Sequence, residues 1–189
     1  PGGIHPGSLK VLAAWWRGAT TPSERSKWAV LDIHHYHAWE PQCQGASDGH
    51  VVANYTCAIA DERSDALERC TAWASVFRQA VDEECGAGAK LMSGEMSAST
   101  HHLVRHACND ITTLRETYLA QIEAARNANV KIYWWSYKMP FGGAFRPAWS
   151  LRHFLWLMGA LPRPDVSSYP CGDHEPIDGE PGNDDVFAN

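Results

Sequence analysis

The chain has little of what marks several large protein classes. None of its six cysteines forms a Cys-x-x-Cys pair, so the ligand spacing of a zinc finger or ribbon is absent. No apolar run reaches the length of a membrane-crossing helix. No basic stripe stands out: 16 Lys and Arg face 22 Asp and Glu, a net charge of −6, a poor match to nucleic acid. No internal repeat is visible. No signal peptide opens the chain. The first residues, "PGGIHPGS", read as the inside of a loop, so a secreted protein beginning there is mature, processed or incomplete.

What is present is an ordinary globular balance, 44% hydrophobic and 20% charged, enough to build one core. Nine Trp are a surplus. Indoles serve cores, and their flat faces also stack on sugars and other ring ligands. Cys43, Cys57, Cys70, Cys85, Cys108 and Cys171 are even in number and scattered, the pattern of disulfides formed in an oxidising compartment. The sequon Asn54-Tyr55-Thr56 agrees with that and makes Asn54 a candidate glycan acceptor. A secreted, extracellular or cell-wall location is therefore expected.

Periodicity predicts four helices and three strands. "SLKVLAAWWRG" reads as a short helix with Ser8 as N-cap and Gly18 as stop. "TTPSERSK" reads as a loop, and "WAVLDIHHY" as a strand whose near-continuous apolar run suits burial on both faces. A long polar loop covers residues 39–60. Residues 61–86 read as one long helix, with Ala66, Cys70, Trp73, Phe77 and Val81 on one stripe and Gly86 ending it. "AKLMSGEMS" is a short strand. A helix follows with Leu114, Tyr118, Ile122 and Ala125 on its stripe, then the strand "KIYWWSYK" and the glycine-bearing loop "FGGAFRPAWS". "SLRHFLWLMGA" is a last helix stopped by Gly159 and Pro162. Residues 1–165 form the folded portion; residues 166–189 are an acidic, Pro/Gly-rich tail. This alternation predicts a parallel α/β fold, whose sites lie beyond the carboxyl ends of the strands.

All three strands end in chemistry. The first runs into His34-His35-Tyr36-His37, the second into Glu95 after Gly94, and the third into Trp134-Trp135-Ser136-Tyr137. Strand alternation puts His34 and Tyr36 on one face, and His35 and His37 on the other. His35-x-His37 fits one arm of a metal site in a metal-dependent hydrolase; the plainer reading is that these two rings satisfy backbone groups. His34 and Tyr36 are placed to hydrogen-bond a substrate or a carboxylate. Glu95 follows a glycine that permits close approach.

"KWAVLDIHHYHAW", "LMSGEMSAST" and "IYWWSYK" followed by "AWSLRHF", in that order, resemble the C-terminal half of glycoside hydrolase family 5, nearest to its exo-β-1,3-glucanase branch. The likeness covers roughly residues 4 to 171. It implies a (β/α)8 TIM barrel, represented here by about its last three strands and four helices. It implies Glu95 as catalytic nucleophile, His34 and Tyr36 as its positioning pair, and Trp135 as the indole beneath the sugar. The partner implied is a β-glucan or related oligosaccharide, with no cofactor and no metal. Two departures stand out. Met96 occupies a region where such relatives carry Trp, and the Asn-Glu-Pro motif that holds the family's acid is absent. Trp39-Glu40-Pro41 and His174-Glu175-Pro176 are similar in letters but wrongly placed.

The family has a bridge at places corresponding to Cys70 and Cys171, so the resemblance implies that pair. Cys43 with Cys57 would close the long loop, which leaves Cys85 with Cys108. The activity expected is retaining hydrolysis of a β-1,3-glucosidic bond, once the missing barrel half is supplied by the same polypeptide or another chain. The alternatives are a non-catalytic carbohydrate-binding or structural protein on a glycosidase scaffold, and the metal-dependent hydrolase using His35 and His37.

Three parallel strands of a barrel for which about 250 residues are typical leave two edges unpaired. Residues 1–189 expressed alone are therefore expected to fold poorly or associate, and to hydrolyse no glycoside. A monomeric product with a sharp thermal transition and β-glucosidase activity would overturn that expectation.

Overall fold

The computed structural model describes residues 6–39, 46–47, 50–51, 60–99, 110–138 and 146–162. In chain order its elements are α1 (Pro6–Ala19), α2 (Pro22–Lys27), β1 (Val30–His34), a 3-10 turn (His37–Trp39), β2 (Ala46–Ser47), β3 (His50–Val51), α3 (Ala60–Thr71), α4 (Trp73–Cys85), β4 (Lys90–Met96), α5 (Ile111–Asn127), β5 (Val130–Trp134), α6 (Arg146–Trp149) and α7 (Leu151–Leu157). β1, β4 and β5 form a parallel sheet in that spatial order, with β4 central. β2 and β3 form a minimal antiparallel pair. Helices alternate with these parallel strands, so the chain is mixed α/β, as the sequence predicts.

Register explains where the core lies. Leu31, Leu91 and Val130 are aligned across the three strands, and the next inward row is Ile33, Ser93 and Ile132. These rows pack against Leu9, Ala13 and Trp16 of α1 and Trp73, Phe77 and Val81 of α4. Spacings of three and four residues give each helix one apolar stripe, and burying it is what holds these helices on the sheet. The other rows face outward: Val30 is 40% exposed and Tyr133 56%, with Asp32 and Lys131 also exposed. The expectation that β1 is buried on both faces is thus corrected. Its apolar run is interrupted at every second position on one face, so among the described residues only one side is dry.

Several boundaries differ from the periodicity. Helix α1 starts at Pro6 rather than being capped by Ser8, and proline suits a first turn because its missing N–H has no intrahelical bond to lose. "TTPSERSK" is not a loop: Thr21 and Glu24 form a capping box over α2, with the Thr21 N–H donating to Glu24 Oε2 at 2.8 Å and the Glu24 N–H donating to Thr21 Oγ1 at 3.2 Å. The Arg25 side chain is buried in this corner and donates to Thr20 Oγ1 at 3.0 Å and Arg17 O at 3.3 Å. The long helix over 61–86 is two helices, divided at Ala72. Thr71 Oγ1 donates back to Leu67 O at 2.8 Å and Ser75 Oγ to Ala72 O at 2.9 Å, side-chain bonds that compete with the regular ladder. Its predicted stripe is nonetheless buried in full, and Gly86 ends α4 with φ at 77°. "FGGAFRPAWS" closes with a helical turn, α6.

In α5 the stripe is rotated. Leu114 and Ala125 are buried as expected, but Tyr118 and Ile122 are half-buried, while Thr113, Thr117 and Gln121 are enclosed. Hydrogen bonding makes that tolerable: Gln121 Nε2 donates to Ser97 O at 2.9 Å, and Thr117 Oγ1 to Thr113 O at 2.9 Å. Asp110 caps the helix, accepting from the Thr113 N–H at 3.0 Å and from its hydroxyl at 2.6 Å.

Cys85 is a free thiol, 3.6 Å from Ala13 O on α1, so the expected Cys85–Cys108 bridge is corrected. The end of α4 is packed on α1 there. Burial raises this thiol's pKa. Cys70, buried on α3, is disulfide-bonded, and its partner falls outside the described residues. Cys43, Cys57, Cys108, Cys171, Asn54 and the tail 166–189 also lie outside them. No helix among the described residues is long and apolar enough to cross a membrane.

Phe77 is 0% exposed at the centre of the main core. In the folded protein Phe77→Ala is expected to cost about 3–5 kcal/mol of unfolding free energy. Val11→Ala, at a position 72% exposed, should stay within about 0.5 kcal/mol. Denaturant midpoints check both; equal effects would contradict the packing described.

Candidate functional site

The carboxyl ends of β1, β4 and β5 converge, and a bulge in the middle strand shapes what they present. Ser93 stands opposite Ile33 on one side and Ile132 on the other; beyond it Glu95 faces His34, and Met96 faces Trp134. β4 therefore carries one residue more than its neighbours, at Gly94–Glu95. Such an insertion ends regular pairing and re-aims a side chain. The bulge is fastened from behind by buried Ser93, whose hydroxyl donates to Glu95 O at 2.8 Å and accepts from the His35 N–H at 3.2 Å.

Glu95 meets both strand-end residues that the alternation of β1 singles out. The Tyr36 hydroxyl donates to Glu95 Oε2 at 2.6 Å, and His34 Nδ1 lies 3.3 Å from the same oxygen. Burial, then the hydrogen bond to Glu95 and that carboxylate's charge, raise the Tyr36 phenol above its ordinary pKa. It is therefore a donor across the neutral range. The other ring nitrogen of His34, Nε2, lies 3.4 Å from Asp32 Oδ2. Asp32 Oδ1 accepts the Gly94 N–H at 2.6 Å. Asp32 was not among the residues singled out from sequence, yet Asp32-x-His34-x-Tyr36 has the same period of two that groups His34 with Tyr36. A β-carbon on Gly94 would lie 2.5 Å from Asp32 Oδ2, so the close approach anticipated at this glycine is real, and what approaches is a carboxylate.

Aromatic rings border the carboxylate. Trp135 is 42% exposed and Trp39 55%, and between them lies Trp149, which is buried. Trp149 is 6.0 Å from Trp135, 5.4 Å from Trp39 and 5.2 Å from Tyr36, centroid to centroid. Trp135 is anchored by its N–H to Met96 O at 2.8 Å, and the Trp135–Ser136 peptide bond is cis. Trp134 points away, donating from Nε1 to Trp149 O at 3.0 Å and packing on Tyr118 and Phe154. Sequence reasoning had no signal for Trp149, which enters from α6. Met96, noted as a departure in the family comparison of motifs, is 2% exposed and belongs to the interior rather than to the open mouth.

His35 and His37 do not join this group. They are 0% and 1% exposed, edge to face at 5.3 Å, with His35 stacked on Trp73 at 4.5 Å. Among the described residues no group of three His, Cys, Asp or Glu converges as metal ligands would. Burial, and for His35 also the neighbouring His37, holds both rings far below the ordinary histidine pKa.

For His37 burial lowers the pKa from 6.5 to about 3. The unfolded chain takes up a proton below pH 6.5 that the folded chain refuses until near pH 3. Stability from this ring is thus fully present above pH 6.5 and is lost as pH falls, by about 1.4 kcal/mol per unit across that window. Unfolding free energies measured from pH 7 to 4 should show at least this slope, His35 adding its own, and His37→Gln should reduce it by about His37's share; an unchanged slope in a folded variant would argue against the buried neutral ring. Compared with protein-family models, with curated proteins and with solved structures, the chain finds no match in any of the three.

Proposed function

We propose that the chain is the nucleophile-bearing part of a (β/α)8-barrel retaining glycoside hydrolase acting on β-glucans. The observation that carries the reading is Glu95 itself: a half-buried carboxylate on a bulge at the end of the central parallel strand, held on one oxygen by Tyr36 and His34. Both contacts fall on Oε2, and among the described residues none is made to Oε1, which is the oxygen left to attack. Glu95 Oε1 would bond to the anomeric carbon as the bond from that carbon to the leaving sugar oxygen breaks. A second carboxyl, about 5–5.5 Å away, would give its proton to that oxygen and then take one from the water that releases the sugar. Asp32 is a poor choice for that acid, because its carboxylate is engaged with the Gly94 N–H. The acid is expected from barrel strands outside this chain.

The barrel reading draws support from strand order. Consecutive parallel strands lie side by side, and the elements packed on them, α1 and α4 above all, cover the same face. A barrel segment has this layout, which one βαβαβ half of a doubly wound sheet shares. The exposed indoles of Trp39 and Trp135 suit stacking on sugar rings. They equally suit a second reading, a carbohydrate-binding protein without catalysis.

One experiment separates the two. In the complete protein an activated 2-fluoroglucoside should become covalently attached to Glu95, found by peptide mapping. Glu95→Gln should lower the rate by several orders of magnitude while leaving oligosaccharide binding intact. Binding by the wild type without labelling or turnover would select the second reading.

A further inference from the structure

We propose that Asp32 is a positioning residue that sets the place of the Glu95 carboxylate, acting through the bulge backbone and through His34. The inference rests on Glu95 being the working carboxylate and adds a residue that no strand-end motif assigns. A bulge leaves backbone groups without their regular ladder partners. Here the Gly94 N–H is taken by Asp32 Oδ1 at 2.6 Å, a short bond to a charged acceptor. The same carboxylate turns its other oxygen to His34 Nε2 at 3.4 Å, and the far nitrogen of that ring reaches Glu95 Oε2 at 3.3 Å. One side chain thus touches the backbone immediately before Glu95 and the ring that contacts Glu95's own carboxylate. The ring stands within ion-pair reach of a carboxylate at each of its nitrogens.

Position 94 is matched to this arrangement. A β-carbon there would lie 2.5 and 2.8 Å from the two Asp32 oxygens, so any side chain expels the carboxylate from its seat. The displaced group is a side-chain end, which can swing aside at modest cost. Gly94→Ala should therefore reproduce the loss of Asp32 contacts without removing Asp32. Asn at position 32 is a different probe. Its oxygen still accepts from Gly94, but the atom facing His34 Nε2 becomes an NH2, a donor where a carboxylate can only accept. The two halves of the clamp can be released separately.

The test uses the complete protein with 15N-labelled Gly and His and with Glu labelled at the carboxyl carbon. In the wild type the Gly94 amide proton should resonate far downfield. Asp32→Ala should lose that signal, and both Asp32→Ala and Gly94→Ala should shift the Glu95 carboxyl resonance. Asp32→Asn should keep the Gly94 signal while shifting the His34 Nε2 resonance, because the acceptor beside that nitrogen has become a donor. In turnover Asp32→Asn should lower kcat by about 100-fold with KM little changed, the cost of a misplaced reacting group. Folded Asp32→Ala and Gly94→Ala proteins with unchanged Glu95 and His34 resonances would overturn the proposal. If those two variants do not fold, the near-isosteric Asp32→Asn decides, and an unmoved His34 Nε2 overturns it. Wild-type kcat in Asp32→Asn, where Glu95→Gln is inert, overturns it as well. A wild type that never labels at Glu95 removes the glycosidase reading instead, and the resonances still decide what Asp32 holds.

Discussion

The row formed by Leu31, Leu91 and Val130 has water on neither side of its side chains, because α1 and α4 close over it. Each fully buried aliphatic or aromatic side chain contributes about 1.5–3 kcal/mol, so this contact outweighs any polar interaction described at the strand ends. It also fixes direction. Helices returning over one face require the strands to run parallel, and parallel strands bring their carboxyl ends to one edge. Glu95, His34, Tyr36 and Trp135 are neighbours because of hydrophobic burial at the opposite, inner side of the same strands.

A second, smaller core stands between that sheet and the mouth. Leu114, Phe154, Ala98 and Trp149 gather there, with Tyr36 and Trp134 packed against them. Its task differs from that of the first. The first determines which way the strands run; the second packs Trp39 and Trp149 on the Tyr36 ring whose hydroxyl reaches Glu95. The aromatic surplus of the sequence is thereby divided, with Trp16 and Trp73 in the main core and Trp39, Trp135 and Trp149 at the mouth.

What could be read from sequence was what depends on periodicity. The stripe of Ala66, Cys70, Trp73, Phe77 and Val81 is a one-dimensional pattern, and so is the alternation that pairs His34 with Tyr36. What could not be read was set by contacts distant in the chain. Gln121 looks like a surface residue until Ser97 O, from the end of β4, is seen to accept its amide. The division of the long helix at Ala72 follows from local hydroxyl bonds that no apolar pattern records. Asp32 reads as a solvated interruption in a strand, because the N–H it serves is freed only by a bulge 62 positions later in the chain. The capping box at Thr21 and Glu24 is a different case: its signal is short and local and was present all along.

The thiol of Cys85 gives the molecule a built-in clock. It sits where the end of α4 meets Ala13 of α1, and burial keeps it from ionising readily. Alkylation needs the thiolate and needs access, and the raised pKa and partial burial of Cys85 limit both. The rate at which a maleimide marks this position, read by peptide mass, therefore rises when the end of α4 parts from α1, and the rise reports that opening. That opening is a local event, with its own free energy below that of global unfolding, and it can be timed without any substrate.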